Sequence, residues 1–170
     1  MLKNLKFLFF SLIFLFITAN SFANNKIAII DLDYLIQNSN SGKLILDNLN
    51  KLDKQNIELL KKKSEELAKL ENETKNKQKI ISKEAYNKEI LLLRNKIDDF
   101  RKEKNLLVNK FSEYRDKELS NFFNKISPII KNYMDENSIG ILLDKKKIFM
   151  GNSNVDITNE ILIIINSETN

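Results

Sequence analysis

The sequence predicts an α+β fold in which a long helical hairpin is inserted between the strands of one small sheet. Residues 43–125 contain neither glycine nor proline, which is typical of uninterrupted helix. Short apolar runs of strand type lie on both sides of this segment, KIAIID at 26–31 and a second region at 141–151. The two ends of the chain are therefore expected to meet in one sheet.

Residues 1–23 have the features of a cleaved signal peptide. Two lysines precede a long apolar stretch, and Ser21 and Ala23 occupy the small-residue positions that signal peptidase reads. The alternative is an uncleaved membrane anchor, because residues 7–25 carry no charge. The polar second half of this stretch favours cleavage, so we predict an exported single-domain chain spanning residues 24–170.

The heptad pattern of the central segment predicts a coiled-coil hairpin. In its first half the expected seam positions are Leu49, Leu52, Asn56, Leu59, Lys63, Leu67 and Leu70. In its second half they are Tyr86, Ile90, Leu93, Ile97, Phe100, Lys104, Leu107, Phe111 and Tyr114. The polar stretch 71–83 interrupts the pattern and is expected to hold the turn. The alternative is one continuous rod in a multi-chain coil.

Turn and cap residues predict the boundaries of the helices. Ser39, Asn40 or Ser41 is expected to cap the first arm helix. Pro128 is expected to kink the second arm helix or to make it restart, and Gly140 lies close to its expected end.

Two strands and a helix are expected to follow. The runs 141–144 and 147–151 are predicted to be strands. Residues 156–165 are predicted to form a terminal helix capped by Asp156 or Thr158. A strand is the alternative for this isoleucine-rich run.

The compact part of the predicted fold is small. It consists of residues 24–42 and 126–170, and residues 43–125 form the arm. A core of this size supplies only a few kcal/mol of stability, and three short strands leave open edges that attract further pairing. We therefore expect copies of the chain to associate through the sheet, in a number that these arguments leave open.

Residue types needed for catalysis are scarce. The chain has no cysteine and no histidine, so disulfides and thiolate chemistry are excluded and a metal site would need oxygen ligands only. Asp31 and Asp33 lie at a strand end, where capping of the following turn is the ordinary role of aspartate. We predict no catalytic residue, no cofactor, no metal and no enzyme activity.

Several segments resemble the Skp (OmpH-like) family of periplasmic chaperones. The resemblance is carried by KIAIIDLDYLIQNSNSGK, the long charged hairpin, ILLD with KIFMG, and the terminal DITNEIL. It implies a homotrimer in which strands of three subunits form a small β-barrel and the arms surround a cavity. It also implies an ATP-independent periplasmic holdase that sequesters unfolded outer-membrane β-barrel proteins.

The candidate client-binding residues lie on the arm, away from the seam. The apolar candidates are Leu91, Leu92, Leu106 and Val108, and the basic candidates are Lys61, Lys62, Lys63, Lys75, Lys77 and Lys79. Packing inside the hairpin is the alternative role for the four apolar residues, and plain solvation is the alternative for the lysines.

Other functions compete with this one. Residues 51–110 hold 17 Lys and Arg against 11 Asp and Glu, so the arm is a basic surface for anionic partners, including a membrane surface in transient contact. A structural coiled-coil envelope protein would need the arm without a cavity. A nonspecific nucleic-acid-binding protein would use the charge alone, but the chain has no groove-reading motif.

Overall fold

The computed structural model describes residues 26–168, and the predicted signal peptide lies outside these described residues. The elements in chain order are β1 (Lys26–Ile30), α1 (Leu32–Asn38), α2 (Asn40–Lys77), α3 (Lys83–Glu136), β2 (Ile139–Asp144) and α4 (Thr158–Glu168). The predicted α+β fold with a hairpin inserted between strands is confirmed, since α2 and α3 lie between β1 and β2.

The sheet joins the two ends of the described chain. β1 and β2 are parallel, with Ile27 opposite Ile141 and Ile29 opposite Leu143. Parallel neighbours need a long crossover connection, and here the whole helical hairpin is that connection.

The predicted strand at 147–151 is wrong. Lys145–Lys147 form a 3₁₀ turn, in which the Asp144 carboxylate accepts the N–H of Lys146 at 3.1 Å and ends β2. A segment further along the chain lies beside β1 instead, and there the N–H of Ile157 donates to the carbonyl of Ile29 at 3.0 Å. Within residues 26–168 the sheet therefore has two strands and one added bridge, between Ile29 and Asp156.

The hydrophobic core lies between the sheet and the helices around it. Its buried members are Ala28, Ile30, Leu35, Ile36, Phe122, Ile126, Ile129, Ile139, Ile157, Ile161 and Ile165. β1 and α1 supply the members near the start of the chain. The last four turns of α3, β2, Ile157 and α4 supply the others. The core thus requires both flanks of the arm, because neither flank has enough apolar surface to bury alone.

Ser39 caps the first arm helix. Its side chain is fully buried and accepts the N–H of Gly42 at 3.1 Å. The hydroxyl therefore satisfies one of the N–H groups that lack a partner at a helix start.

α3 ends differently from the prediction. It continues through Pro128 without restarting, and the hydroxyl of Ser127 donates to the carbonyl of Phe123 at 2.6 Å just before the proline. The helix ends at Glu136, and the residue that reverses the chain is Ser138, with φ of 55°, while Gly140 lies inside β2. In this conformation the carbonyl of Ser138 accepts the N–H of Lys26 at 3.1 Å, so the reversal also holds the start of β1.

The terminal helix prediction is confirmed. α4 begins at Thr158, whose N–H donates to the Asp156 carboxylate at 3.0 Å. The hydroxyl of Thr158 accepts the N–H of Asp31 at 2.9 Å and donates to Asp156 at 2.5 Å. This buried threonine therefore ties the end of β1 to the start of α4.

Candidate functional site

The arm is an antiparallel pair of helices whose turn lies where the heptad pattern was interrupted. α2 has 38 residues and spans about 57 Å at about 1.5 Å per residue. The turn covers residues 78–82, and the side chain of Ser82 starts α3 by accepting the N–H of Ala85 at 3.2 Å. The arm therefore places its turn far from the sheet.

The seam of α2 follows the predicted pattern except at one step. Leu49, Lys63, Leu67 and Leu70 are buried or half-buried as expected, but Leu60 takes the place predicted for Leu59, which is exposed. The step from Asn56 to Leu60 has four residues where the prediction placed three. The next step, from Leu60 to Lys63, then has three residues, so the order of the two steps is exchanged and the heptad register is kept from Lys63 onward.

The seam of α3 departs from the prediction at Lys104 and at its last position, Tyr114, which is 36% exposed. That lysine is exposed, and Glu103 is half-buried in its place. The cause lies on the opposite helix, where the Lys63 ammonium contacts both carboxylate oxygens of Glu103, at 2.5 and 2.6 Å. Leaving the half-buried charge of Lys63 without a carboxylate partner would cost more free energy than a one-residue departure from the heptad spacing.

The four apolar candidates are exposed on the arm. Leu91, Leu92, Leu106 and Val108 retain between 52% and 59% of their accessible surface, so they do not pack inside the hairpin. Leu92 and Leu106 are fourteen residues apart, which is four helical turns and about 21 Å on one face. Ile57 on α2 is similarly exposed and was not among the candidates.

The six basic candidates fall into three groups. Lys61 and Lys62 pair with glutamates one turn away on their own helix, at 4.0 and 3.1 Å, and these exposed pairs contribute little. Lys63 and Lys77 pair across the hairpin, with Glu103 at 2.5 Å and with Glu89 at 3.4 Å. Lys75 and Lys79 form no ion pair within residues 26–168, so their charge is available to a partner.

A second candidate surface lies on the sheet. Ile27, Ile141 and Leu143 are exposed on the strands, and Phe149 and Met150 beyond β2 are 99% and 81% exposed. We call these five residues the sheet face. Open edges were predicted from the sequence, but this set was not. Ile141 and Leu143 alternate with the less exposed Leu142 in β2, as the two faces of a strand require.

Salt bridges hold the loops around the sheet. The Lys145 ammonium lies 2.8 Å from the Asp156 carboxylate, and Lys146 pairs with Asp33. Burial alone would raise the pKa of Asp156, but hydrogen bonds from Lys145 and Thr158 outweigh it and hold that pKa below its ordinary value.

The interpretation of Asp31 as a capping residue is confirmed, because its carboxylate accepts the N–H of Tyr34 at 2.9 Å.

The described residues include neither a candidate metal site nor a candidate membrane-spanning helix. Residues 26–168 contain no group of three or more His, Cys, Asp or Glu that could hold a metal ion. No helix in this range combines the length and apolar character needed to span a bilayer.

These features define a class of protein in which a minimal sheet carries a long coiled-coil arm. The family of outer membrane proteins described as OmpH-like matches residues 26–164. The chain therefore belongs to the OmpH-like family.

A solved structure has the same fold. The crystal structure of an OmpH-like protein from Caulobacter crescentus CB15 superposes with a TM-score of 0.73 at 17% sequence identity, covering 84% of this chain and 85% of that one. None of the curated proteins compared with the sequence matches it.

Proposed function

We propose that this protein is an ATP-independent holdase chaperone of the periplasm, which sequesters unfolded outer-membrane β-barrel proteins between its arms. Membership of the OmpH-like family supports this proposal. The Caulobacter crescentus protein with the same fold is described as a candidate outer membrane chaperone. The observation that carries the proposal is the exposed apolar surface on a basic arm, formed by Leu91, Leu92, Leu106 and Val108.

The cavity in this proposal requires more than one copy. A two-stranded sheet is marginal in water, and the sheet face exposes five apolar residues beside the unpaired edge of β2. We propose that three copies bury this face against one another in a small barrel, from which three arms extend around a common space. The number three rests on the family resemblance, and the need for association rests on the exposed sheet face.

Client capture follows from weak and numerous contacts. An unfolded β-barrel protein exposes apolar segments and unpaired strand edges that aggregate when chains meet. Exposed leucines on the arm offer apolar contact, and the unpaired charge of Lys75 and Lys79 attracts acidic chains. Contacts of this kind hold many sequences without selecting one conformation. Holding one client in an enclosed space prevents encounters between clients, and no step consumes a nucleotide.

The test is the light scattering of an outer-membrane β-barrel protein diluted out of urea. With an excess of residues 24–170, scattering is expected to stay near baseline, with no effect of added ATP. A structural coiled-coil spacer would leave the scattering unchanged, and that result would overturn the proposal. Serum albumin at the same mass concentration is the control for nonspecific suppression.

A further inference from the structure

A cavity opens to solvent on one side of the arm, between α2 and α3. Its volume is about 490 Å³, which is within the range of ligand-binding pockets. Three half-buried residues of the seam, Leu67, Leu70 and Phe100, form its floor. The floor is therefore apolar and includes one aromatic ring. We call this cavity the arm pocket.

The rim of the arm pocket carries charges of both signs. At the end nearer the sheet, Lys63 and Glu103 form the ion pair described above. Glu66 and Glu73 on α2 and Lys96 on α3 also line the pocket, and they form no ion pair within the described part of the chain. Polar groups of either sign next to a bound side chain can therefore find a charged partner at the rim.

Exposed leucines lie on both sides of the arm pocket. Leu92 and Leu106 lie seven residues before and after Asp99, a residue of the rim, so the three occupy one line along α3 with about 10.5 Å between neighbours. On α2, Leu59 lies seven residues before Glu66 in the same way and is 39% exposed. The arm pocket therefore lies within the surface proposed above for client contact.

The floor favours an aromatic side chain over an aliphatic one. A bound ring can contact the ring of Phe100, and aromatic pairs are more favourable than the area they bury predicts. The Lys96 ammonium at the rim also attracts the face of a ring. The clients proposed above supply such side chains, because transmembrane β-barrels carry girdles of aromatic residues. Their strands alternate apolar with polar residues, so polar neighbours of each ring are available for the charged rim.

We propose that the arm pocket binds aromatic side chains of unfolded outer-membrane proteins, one ring at a time, with the ring against Phe100. This inference rests on the proposed holdase function and adds a defined site to the exposed leucines. One ring in an open pocket is held weakly. A client with many aromatic residues gains from binding through several arms of an assembly at once.

Peptide fluorescence tests the site directly, because the natural chain contains no tryptophan. The probe is a short glycine–serine peptide with one central tryptophan between a lysine and a glutamate. Its emission is expected to shift to shorter wavelength when residues 24–170 are added. The same peptide with leucine at the centre is expected to compete about threefold to tenfold less well, because it lacks the contact between rings.

Glu66→Tyr tests the location of the site. Glu66 is exposed on the rim, so the change leaves the seam intact and places a competing ring beside the floor. We expect the affinity for the tryptophan peptide to fall about fivefold or more, because the apolar floor is covered. The matched control is Glu71→Tyr, at an exposed position of the same helix that does not line the pocket. It is expected to keep the affinity of the natural chain, and circular dichroism is expected to show equal helix content in both variants.

Two results would overturn the proposal. Equal competition by the leucine and tryptophan peptides would show that the pocket does not select aromatic rings. Equal loss of affinity in the two tyrosine variants would show that the peptide binds elsewhere. Because client capture is measured separately by light scattering, either result leaves the holdase proposal standing, whereas only a natural chain that fails to suppress scattering refutes the holdase function itself.

Discussion

The ammonium group of Lys63 lies 2.5 Å from a carboxylate oxygen of Glu103, and this contact links the two arm helices inside their seam. Both side chains retain about a third of their surface, so solvent weakens but does not remove the interaction. The pair also fixes which residues of the two helices lie opposite each other.

We predict that Lys63→Met alone destabilises the chain by about 1–2 kcal/mol, because it leaves the Glu103 carboxylate half-buried without a partner. The double change Lys63→Met with Glu103→Leu is expected to return stability to within about 1 kcal/mol of the natural chain. Urea unfolding followed by circular dichroism measures both. Lys62→Met, which breaks only the exposed pair with Glu58, is the control and should cost less than about 0.5 kcal/mol.

Gly42 is predicted to be irreplaceable at the corner between α1 and α2. A Cβ atom at this position would lie 2.0 Å from the carbonyl oxygen of Ile36, which is backbone and cannot move aside alone. Gly42→Ala should therefore destabilise the protein by about 3 kcal/mol or more, although helix propensity alone predicts a gain of about 1 kcal/mol. Thermal unfolding distinguishes the expected loss of stability from the gain that helix propensity predicts.

Gly151→Ala is the matched control for this substitution. There a Cβ atom would lie too close only to the end of the Ile29 side chain, at 2.9 Å, which can rotate away, while Ile148 Cγ2 at 3.7 Å is an ordinary contact. A loss of less than about 1 kcal/mol is expected. An equal loss at both positions would show that the corner between α1 and α2 has no special constraint.

Asp156 is predicted to make stability depend on pH at the acidic end. Its pKa in the folded protein is lowered, so its contribution is complete above the unfolded value of about 3.9 and is lost as pH falls through the folded pKa. Asp156→Asn keeps an oxygen for Thr158 but removes the charge that pairs with Lys145. The variant should be less stable than the natural chain at pH 7, and the difference should shrink below about pH 4. A difference that is constant from pH 7 to pH 2.5 in urea unfolding would contradict the role of the charge.

The exposed leucines are predicted to contribute to client capture. Replacing Leu92 and Leu106 with serine removes apolar surface from one face of the arm without touching the seam. We expect affinity for an unfolded outer-membrane protein to fall about threefold to tenfold, with helix content unchanged. Fluorescence titration of a labelled client measures this effect. The control is Ile163→Ser, at an exposed position of α4 near the sheet. An equal loss of client affinity in this variant would show that the arm leucines have no special role in capture.

Much of the fold could be predicted because long elements carry strong patterns. The hairpin was found from heptad spacing without glycine or proline, and α4 from its capping residues. The errors fall where a distant contact outweighs a local pattern. Glu103 takes the place of Lys104 because Lys63 faces it, and segment 147–151 forms no strand because residues 156 and 157 already adjoin β1.

The candidate sites were predicted less completely, because exposure depends on how the elements pack. Off-seam positions such as Leu92 follow from periodicity, so the sequence found them. The sheet face was missed, because both strands are apolar throughout and alternation alone does not tell which of their two faces remains open. Local pattern therefore identifies buried residues better than exposed ones.

Assembly through the sheet face is predicted to fail when its centre is charged. Ile141→Lys places an ammonium group opposite Ile27 on the exposed side of the strands, where an assembled neighbour would have to desolvate it. The isolated fold is expected to tolerate this change, because the side chain faces away from the core. Size-exclusion chromatography should show smaller particles with unchanged helix content, and Ile57→Lys on the arm should leave the particle size unchanged.

The mass of the native assembly decides whether copies of the chain associate through the sheet face. Native mass spectrometry of residues 24–170 at micromolar concentration is expected to give three times the chain mass, and the Ile141→Lys variant is expected to give mainly the mass of one chain. A natural chain that is a stable monomer at this concentration would contradict the account, because a single arm encloses no cavity.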